Sequence, residues 1–131
     1  MPTGRTVNKF IRCYVDGYDV SGYARSVGAL VETYVAQNLA VILDSAWPKA
    51  GIFFWNIQGR HEVDFVIEAE GRCMAIEVKA AARWEPGDLA GLKAFIASTP
   101  HCVAGVLAYN GATPVRLGER LWAIPLGLLL S

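Results

Sequence analysis

Two acidic residues and a lysine stand in neighbouring segments of the chain that are otherwise mostly apolar. Asp64 lies in HEVDFVIEA, and Glu77 and Lys79 lie in MAIEVKA with one residue between them. Carboxylate oxygens are ligands that Mg²⁺ prefers, and a nearby ammonium group can act on an attacking water or on charge developing at a phosphate. If the two segments pair as strands, these residues predict a divalent-cation site.

The pairing depends on a predicted hairpin turn at Glu70-Gly71. With these two residues at the centre of the turn, Asp64 stands across from Glu77, and Glu62 stands across from Lys79. Strand alternation then places Asp64, Glu77 and Lys79 on one face. The opposite face carries the apolar set Val63, Phe65, Ile67, Met74, Ile76 and Val78. Opposed carboxylates repel by about 1 kcal/mol or less, and a bound cation would offset that repulsion.

A simpler interpretation remains open for the same residues. The charged face can be a solvated strand surface on which Glu62 and Lys79 form a cross-strand ion pair. Glu32 has two interpretations as well. It borders the apolar stripe of the first predicted helix, where it either points towards the site or is a flanking glutamate at the edge of the core.

The elements that must position these residues follow from hydrophobic periodicity. Val31, Val35, Leu39 and Ile42 predict a helix from Ala29 that ends before Trp47-Pro48. Four strands are predicted, at IFFWNI, at the two hairpin segments and at CVAGVLAY. DLAGLKAFIAST predicts a second helix with Asp88 as its N-cap. RLWAIPL predicts a last strand at a sheet edge, because Pro125 cannot donate a ladder hydrogen bond.

The order helix, three strands, helix, strand predicts an α/β (α+β) fold with one crossover in a mixed central sheet flanked by helices. We divide the chain into an N-terminal extension of strand and turn at 1–28 and a folded domain at 29–131. A length of 131 residues fits one domain.

Composition restricts the function classes. A hydrophobic content of 53% predicts apolar surface buried against a second copy, and so a homodimer. A net charge of zero excludes a global basic field for binding nucleic acid, so phosphate contacts must be local.

Three widely spaced cysteines indicate neither a disulfide framework nor a zinc site. Without an apolar signal core or spanning segment, we expect a cytoplasmic protein with no membrane partner.

Longer stretches of the chain resemble a known family. The stretches are GALVETYVAQNLA, FFWNIQGRHEVDFVIEAEGRCMAIEVKAAARWEPGDLAGLKAF, GVLAYNG and LWAIPLGLLL. Together they resemble the nuclease-like domain of unknown function at the C-terminus of many prokaryotic AAA+ ATPases, which belongs to the PD-(D/E)XK, or restriction-endonuclease-like, superfamily. The resemblance covers Gly28 to about Leu130 and implies an αβββαβ core.

The resemblance also implies roles for individual residues in a metal-dependent hydrolysis of phosphodiester bonds, with DNA as the expected substrate. Asp64, Glu77 and the carbonyl of Val78 would hold Mg²⁺ or Mn²⁺. Glu32 would contribute through a water or a second ion, and Lys79 would act on the nucleophile. An AAA+ ATPase would be a partner.

Four further residues are candidates for contacts with backbone phosphates. Arg60 and His61 enter the aspartate strand, Arg83 follows the lysine strand, and Lys93 lies on the second helix. Each can equally be an ordinary surface residue.

Two features depart from the family pattern. Asn56 follows Trp55 where an arginine is frequent in the family, and the preceding ATPase is not present in this sequence. Residues 1–28 weakly resemble the opening of some phage virion proteins. Two alternatives to a nuclease therefore stay open: a catalytically silent DNA-binding or protein-interaction module, and a small phage-related structural protein.

Overall fold

The computed structural model describes residues 26–57 and 61–131, which form a mixed six-stranded sheet flanked by helices. The helices are α1 (Ser26–Ala46), α2 (Ala90–Ser98) and the short α3 (Leu126–Leu129), and a 3₁₀ turn at Pro86–Leu89 leads into α2. The strands are β1 (Gly51–Ile57), β2 (His61–Ala69), β3 (Arg72–Lys79), β4 (Cys102–Tyr109), β5 (Val115–Gly118) and β6 (Leu121–Pro125).

The sheet has the order β1-β2-β3-β4-β6-β5. β1, β2 and β3 are antiparallel neighbours, β4 lies parallel to β3, and β6 lies parallel to β4. α2 makes the connection from β3 to β4, as a parallel pair requires. The predicted helix, three strands, helix, strand order and the mixed sheet are confirmed.

The last strand departs from the prediction. β6 is not at an edge, because it lies between β4 and β5, and β5 is the edge strand. Pro125 is compatible with this interior position because it is the final residue of β6, paired with Tyr109 at the end of β4. No strand was predicted at β5, which is only four residues long.

Each face of the sheet has its own core. Val35, Ala36 and Leu39 of α1 pack with Phe65 and Ile76, among others, on one face. On the other face, α2 and the 3₁₀ turn bury Leu89, Leu92 and Phe95. These three pack against strand residues that include Val63, Val66, Ala75 and Leu107. Val35 and Leu39 of the predicted α1 face are therefore buried, and α1 ends at Ala46, before Trp47-Pro48, as predicted.

The hairpin turn lies at Glu70-Gly71, as predicted. Both residues have positive φ, 54° for Glu70 and 77° for Gly71, as a two-residue hairpin turn of the primed type requires. The ladder beyond the turn runs from Ala69↔Arg72 to Phe65↔Ile76, which is the predicted register. This register brings the strand segment that contains Asp64 beside the one that contains Glu77.

A bulge in β2 interrupts the regular alternation next to Asp64. Phe53 pairs with Val66 and Trp55 pairs with Val63, so Asp64 and Phe65 together face the single residue Phe54. Val63 consequently packs in the α2-side core with Val66, while Phe65 packs in the α1-side core. The prediction that Val63 and Phe65 share one face is therefore wrong.

Some predictions fall outside the described residues. The proposed extension at 1–28 lies largely in residues 1–25, and Arg60 lies in residues 58–60, so both stay predictions. Within the described ranges, none of the helices has the length and apolar character needed to cross a bilayer.

The first turn of α2 lies directly against the backbone of β2. A Cβ atom built on Gly91 would collide with the carbonyl oxygen of Glu62, so the absence of a side chain permits this close approach. Gly87, one turn earlier in the chain, has no heavy atom within 4 Å of such a Cβ. The two glycines therefore form a matched pair for testing how α2 is seated.

We expect Gly91→Ala to destabilise the protein by about 1 to 3 kcal/mol, because the new methyl group must push α2 away from a strand backbone that cannot yield. Gly87→Ala should change the free energy of unfolding by less than about 1 kcal/mol. Urea denaturation of the two variants checks this. Equal stabilities would show that α2 does not depend on this contact.

Candidate active site

The carboxylate of Asp64 is held by the backbone of the neighbouring strand. Asp64 is only 8% exposed, and its Oδ2 accepts a hydrogen bond of 2.7 Å from the N–H of Val78 in β3. The ladder between β2 and β3 ends at Phe65↔Ile76, before these residues are reached. The side chain of Asp64 therefore continues the contact between the strands where the backbone pairing stops.

Asp64 also contacts the side chain of Glu77, and the two carboxyl groups hydrogen bond to each other. Burial raises the pKa of Glu77 well above its usual range, and the adjoining Asp64 raises it further. Burial raises the pKa of Asp64 too, although its hydrogen bonds with Glu77 and Val78 oppose the change. Both shifts favour a proton on the pair when no cation is bound.

Two more carboxylates act on this pair. Glu32 of α1 and Glu62 of β2 are both close enough to raise the pKa of Glu77. Glu62 is exposed, and its Oε1 accepts a 3.4 Å hydrogen bond from the side-chain amide of Asn56. Four acidic side chains thus contribute negative potential at one end of the β2–β3 pair. This potential favours a proton or a cation between Asp64 and Glu77.

Lys79 pairs with an acidic residue that the register argument did not indicate. Its Nζ lies 3.1 Å from Oδ1 of Asp88 in the 3₁₀ turn, with the two side chains 38% and 26% exposed. This is not the cross-strand pair of Glu62 and Lys79 that the simpler sequence interpretation required. Lys79 is therefore connected to the start of α2 and not to Glu62.

A polar cavity of about 370 Å³ opens beside Glu77 and Lys79, between the end of the sheet and the start of α2, and Asp64 lies outside its lining. Its lining residues are His61, Glu62, Glu77, Val78, Lys79, Gly87, Asp88, Ala90, Gly91 and Leu107. Cys73 and Ala75 of β3 face the α2-side core, and strand alternation puts Glu77 and Lys79 on the same side. The cavity therefore offers a carboxyl group and an ammonium group to a bound molecule.

The structure brings together most of the predicted site residues. Asp64 and Glu77 are in contact, Glu32 acts on Glu77, and Glu77, Val78 and Lys79 line the cavity. Of the candidate phosphate contacts, His61 lines this cavity. Arg83 and Lys93 are exposed and do not line it, and Arg60 lies outside the described residues.

The donor atoms fit a hard cation only in part. No group of three or more His, Cys, Asp and Glu side chains within 26–57 and 61–131 is arranged to hold a metal ion. Asp64 and Glu77 nevertheless offer two adjoining oxygen donor groups. Mg²⁺ is commonly held by one or two carboxylates while waters and substrate oxygens complete its coordination. The pair therefore meets the minimum for such a site.

Asp88 is the site residue whose position the sequence analysis misjudged. It is not the N-cap of α2. It occupies the third position of the 3₁₀ turn, where it forms a capping box with Glu85: its Oδ2 accepts a 2.8 Å hydrogen bond from the Glu85 N–H. The spacing of Glu85 and Asp88 around Pro86-Gly87 is a sequence signal for this turn, but it does not reveal the contact with Lys79.

The raised pKa of Glu77 predicts a pH dependence of stability. Above about pH 5 the unfolded chain has lost this proton while the folded chain retains it, so stability falls as pH rises towards the folded-state pKa, by up to about 1.4 kcal/mol per pH unit for one proton. With a chelator present, we expect the wild type to lose stability from pH 5 to pH 8. Glu77→Gln should flatten this dependence, as measured by urea denaturation at each pH.

Glu62→Gln is the control for this experiment, because it removes a nearby carboxylate that is exposed and outside the hydrogen-bonded pair. Its pH profile should follow that of the wild type closely. Parallel profiles for the wild type and Glu77→Gln would contradict a retained proton on this pair.

Comparison with known proteins identifies a family but no characterised relative. No curated protein and no solved structure gives a significant match to the chain. The family model described as "Domain of unknown function (DUF4143)" matches residues 27–129, which is more than half of the chain. The matched region includes all of β1 to β6, the cavity and the Asp64–Glu77 pair. The chain therefore belongs to the DUF4143 family, a domain found in AAA-ATPase-associated proteins.

Proposed function

We propose that this domain is a Mg²⁺- or Mn²⁺-dependent nuclease of the PD-(D/E)XK type that hydrolyses phosphodiester bonds in DNA. The observation that carries the proposal is the contact between the carboxyl groups of Asp64 and Glu77, with Glu77 and Lys79 lining one polar cavity. The order of elements and the spacing of Asp64, Glu77 and Lys79 support the same assignment, because they match what the sequence resemblance implies.

Electrostatics favours a cation at this pair. Two carboxylates in contact repel strongly unless a proton or a cation lies between them. A divalent cation offsets more negative charge than a proton does, including the contributions of Glu32 and Glu62. A site with two carboxylates leaves coordination positions for water and for a substrate phosphate, which suits a hydrolase better than a closed structural site.

Each residue then has a distinct role. Asp64, Glu77 and the carbonyl of Val78 would hold the metal ion, which when bound supplies Lewis-acid activation of water and of the phosphate. The Lys79 ammonium faces the same cavity and would orient the attacking water or stabilise charge developing on the phosphate oxygens. Glu32 would act through a water or a second ion, and His61 would contact a flanking phosphate.

The proposal extends to partners. A chain with no net charge must bind DNA through local contacts, so weak binding by the isolated domain is expected at high salt. An AAA+ ATPase partner and a second copy of this chain are further proposals; either would add binding surface. We expect such an assembly to function in the cytoplasm.

A catalytically silent module is the second candidate, and one observation favours it. The described residues offer only two side-chain metal ligands in contact. In this alternative, the Asp64–Glu77 pair would keep its proton and serve to close the bulged end of the β2–β3 pair. DNA binding or protein interaction would then occur without cleavage.

A cleavage assay with a binding control separates these candidates. Purified protein should nick plasmid or single-stranded DNA at low salt in the presence of Mn²⁺, and Lys79→Ala should abolish cleavage while it retains the fold. At about 100 times the dissociation constant, Mn²⁺ should stabilise the wild type by roughly 2.7 kcal/mol. Asp64→Asn should remove most of this stabilisation.

Each result decides a different part of the proposal. Equal cleavage by the wild type and Lys79→Ala would mean contamination or a different site. An equal Mn²⁺ shift in the wild type and Asp64→Asn would eliminate this metal site. Metal binding without cleavage on any DNA would favour the silent module.

A further inference from the structure

We propose that Asp88 is the positioning residue of Lys79, holding the lysine ammonium at the α2 wall of the cavity in the geometry used for catalysis. This role rests on the nuclease function proposed above. Asp88 does not need to touch the substrate, because its effect would reach the reaction through Lys79. The structure supports the role with two hydrogen bonds, one buried side chain and one close backbone contact.

The two carboxylate oxygens of Asp88 have different partners. Oδ2 accepts from the Glu85 N–H at 2.8 Å, which fixes the carboxylate relative to the 3₁₀ turn. Oδ1 lies 3.1 Å from Nζ of Lys79. These interactions lower the pKa of Asp88, the hydrogen bond with Glu85 being the larger cause, so that the carboxylate stays charged at neutral pH. Asp88 therefore presents a fixed negative charge to the lysine.

Lys79 needs such a partner because nothing else described at the cavity holds it. A lysine side chain is long and flexible, and Lys79 is the last residue of β3, with 38% of its side chain exposed. Glu77, two residues earlier, has its carboxyl group in contact with Asp64 instead. The one ion pair of Lys79 among the described residues is with Asp88.

The turn that carries Asp88 is itself fixed against the sheet. Leu89, the next residue, is buried in the α2-side core, and Gly91 lies against the carbonyl of Glu62 in β2. The position of the Asp88 carboxylate is thus determined relative to the strands that carry Asp64 and Glu77. An ion pair with this turn places the ammonium relative to the carboxyl pair as well.

Asp88→Asn separates positioning from a merely structural role. Asparagine keeps an oxygen that can accept from the Glu85 N–H, so the turn should be retained, but it removes the charge that binds Lys79. Glu85→Gln is the matched control. It removes a carboxylate from the same turn and keeps the acceptor for the Asp88 N–H in the capping box, without touching Lys79.

In the cleavage assay, Asp88→Asn should lower kcat by about tenfold or more, because a displaced catalytic group loses its alignment, and should leave KM within about twofold. Glu85→Gln should leave both constants near wild-type values. An unchanged kcat in Asp88→Asn would overturn the proposal.

A second readout does not need enzyme activity. Limited acetylation of the whole protein with acetic anhydride, followed by mass spectrometry, reports the reactivity of each lysine. Relative to Lys93 in the same molecule, Lys79 should label about twofold faster or more in Asp88→Asn, as expected for the loss of a part-exposed ion pair, and at the wild-type rate in Glu85→Gln. An unchanged rate in Asp88→Asn would show that Asp88 does not hold Lys79.

The two readouts make the possible failures distinguishable. If the wild type cleaves no DNA, the proposed function fails, while the labelling rates still decide whether Asp88 holds the lysine. If cleavage is found but the Asp88 variants behave like the wild type, the nuclease survives and the positioning role is wrong.

Discussion

The hydrogen bond from the Val78 N–H to the carboxylate of Asp64 connects the architecture of the sheet to the chemistry at its end. β2 carries an extra residue relative to β1 at Asp64 and Phe65, and its ladder with β3 ends there. The Asp64 side chain bonds to the β3 backbone just beyond that point, which also places it against Glu77. The contact between the two carboxyl groups therefore lies where the backbone pairing of β2 and β3 ends.

The contact between Asp64 and Glu77 places two acidic groups together, and no basic side chain among the described residues pairs with them. Burial and the proximity of Asp64, Glu32 and Glu62 raise the pKa of Glu77. Lys79, in the same strand, pairs with Asp88 instead. The negative potential must then be offset by a proton or by a cation from solution. If the Asp64–Glu77 pair has a structural role, a proton occupies it under cellular conditions. If the pair binds metal, a cation occupies it.

The sequence predicted the features that depend on periodicity and on local turn chemistry. The spacing of Val35 and Leu39 predicted the buried face of α1, and Glu70-Gly71 predicted both the hairpin and its register. It did not predict the bulge, because that irregularity depends on how β2 pairs with β1. The interior position of β6 was missed for a similar reason: it depends on β5, whose four residues are too few to show a pattern. The partner of Lys79 was missed because a loop brings Asp88 back to the strand, and loop geometry has no simple sequence period.

We expect Asp64 and Glu77 to share a proton in the metal-free protein and to exchange it for a cation. Site-resolved ¹³C NMR of the side-chain carboxyl carbons, recorded from pH 4 to 9 without metal, tests it most directly. We expect one proton to remain on the pair through neutral pH, and added Mg²⁺ to displace it at pH 7. Ordinary titration of both groups near pH 4, about the usual range for carboxyl groups, with no response to Mg²⁺ would contradict the account.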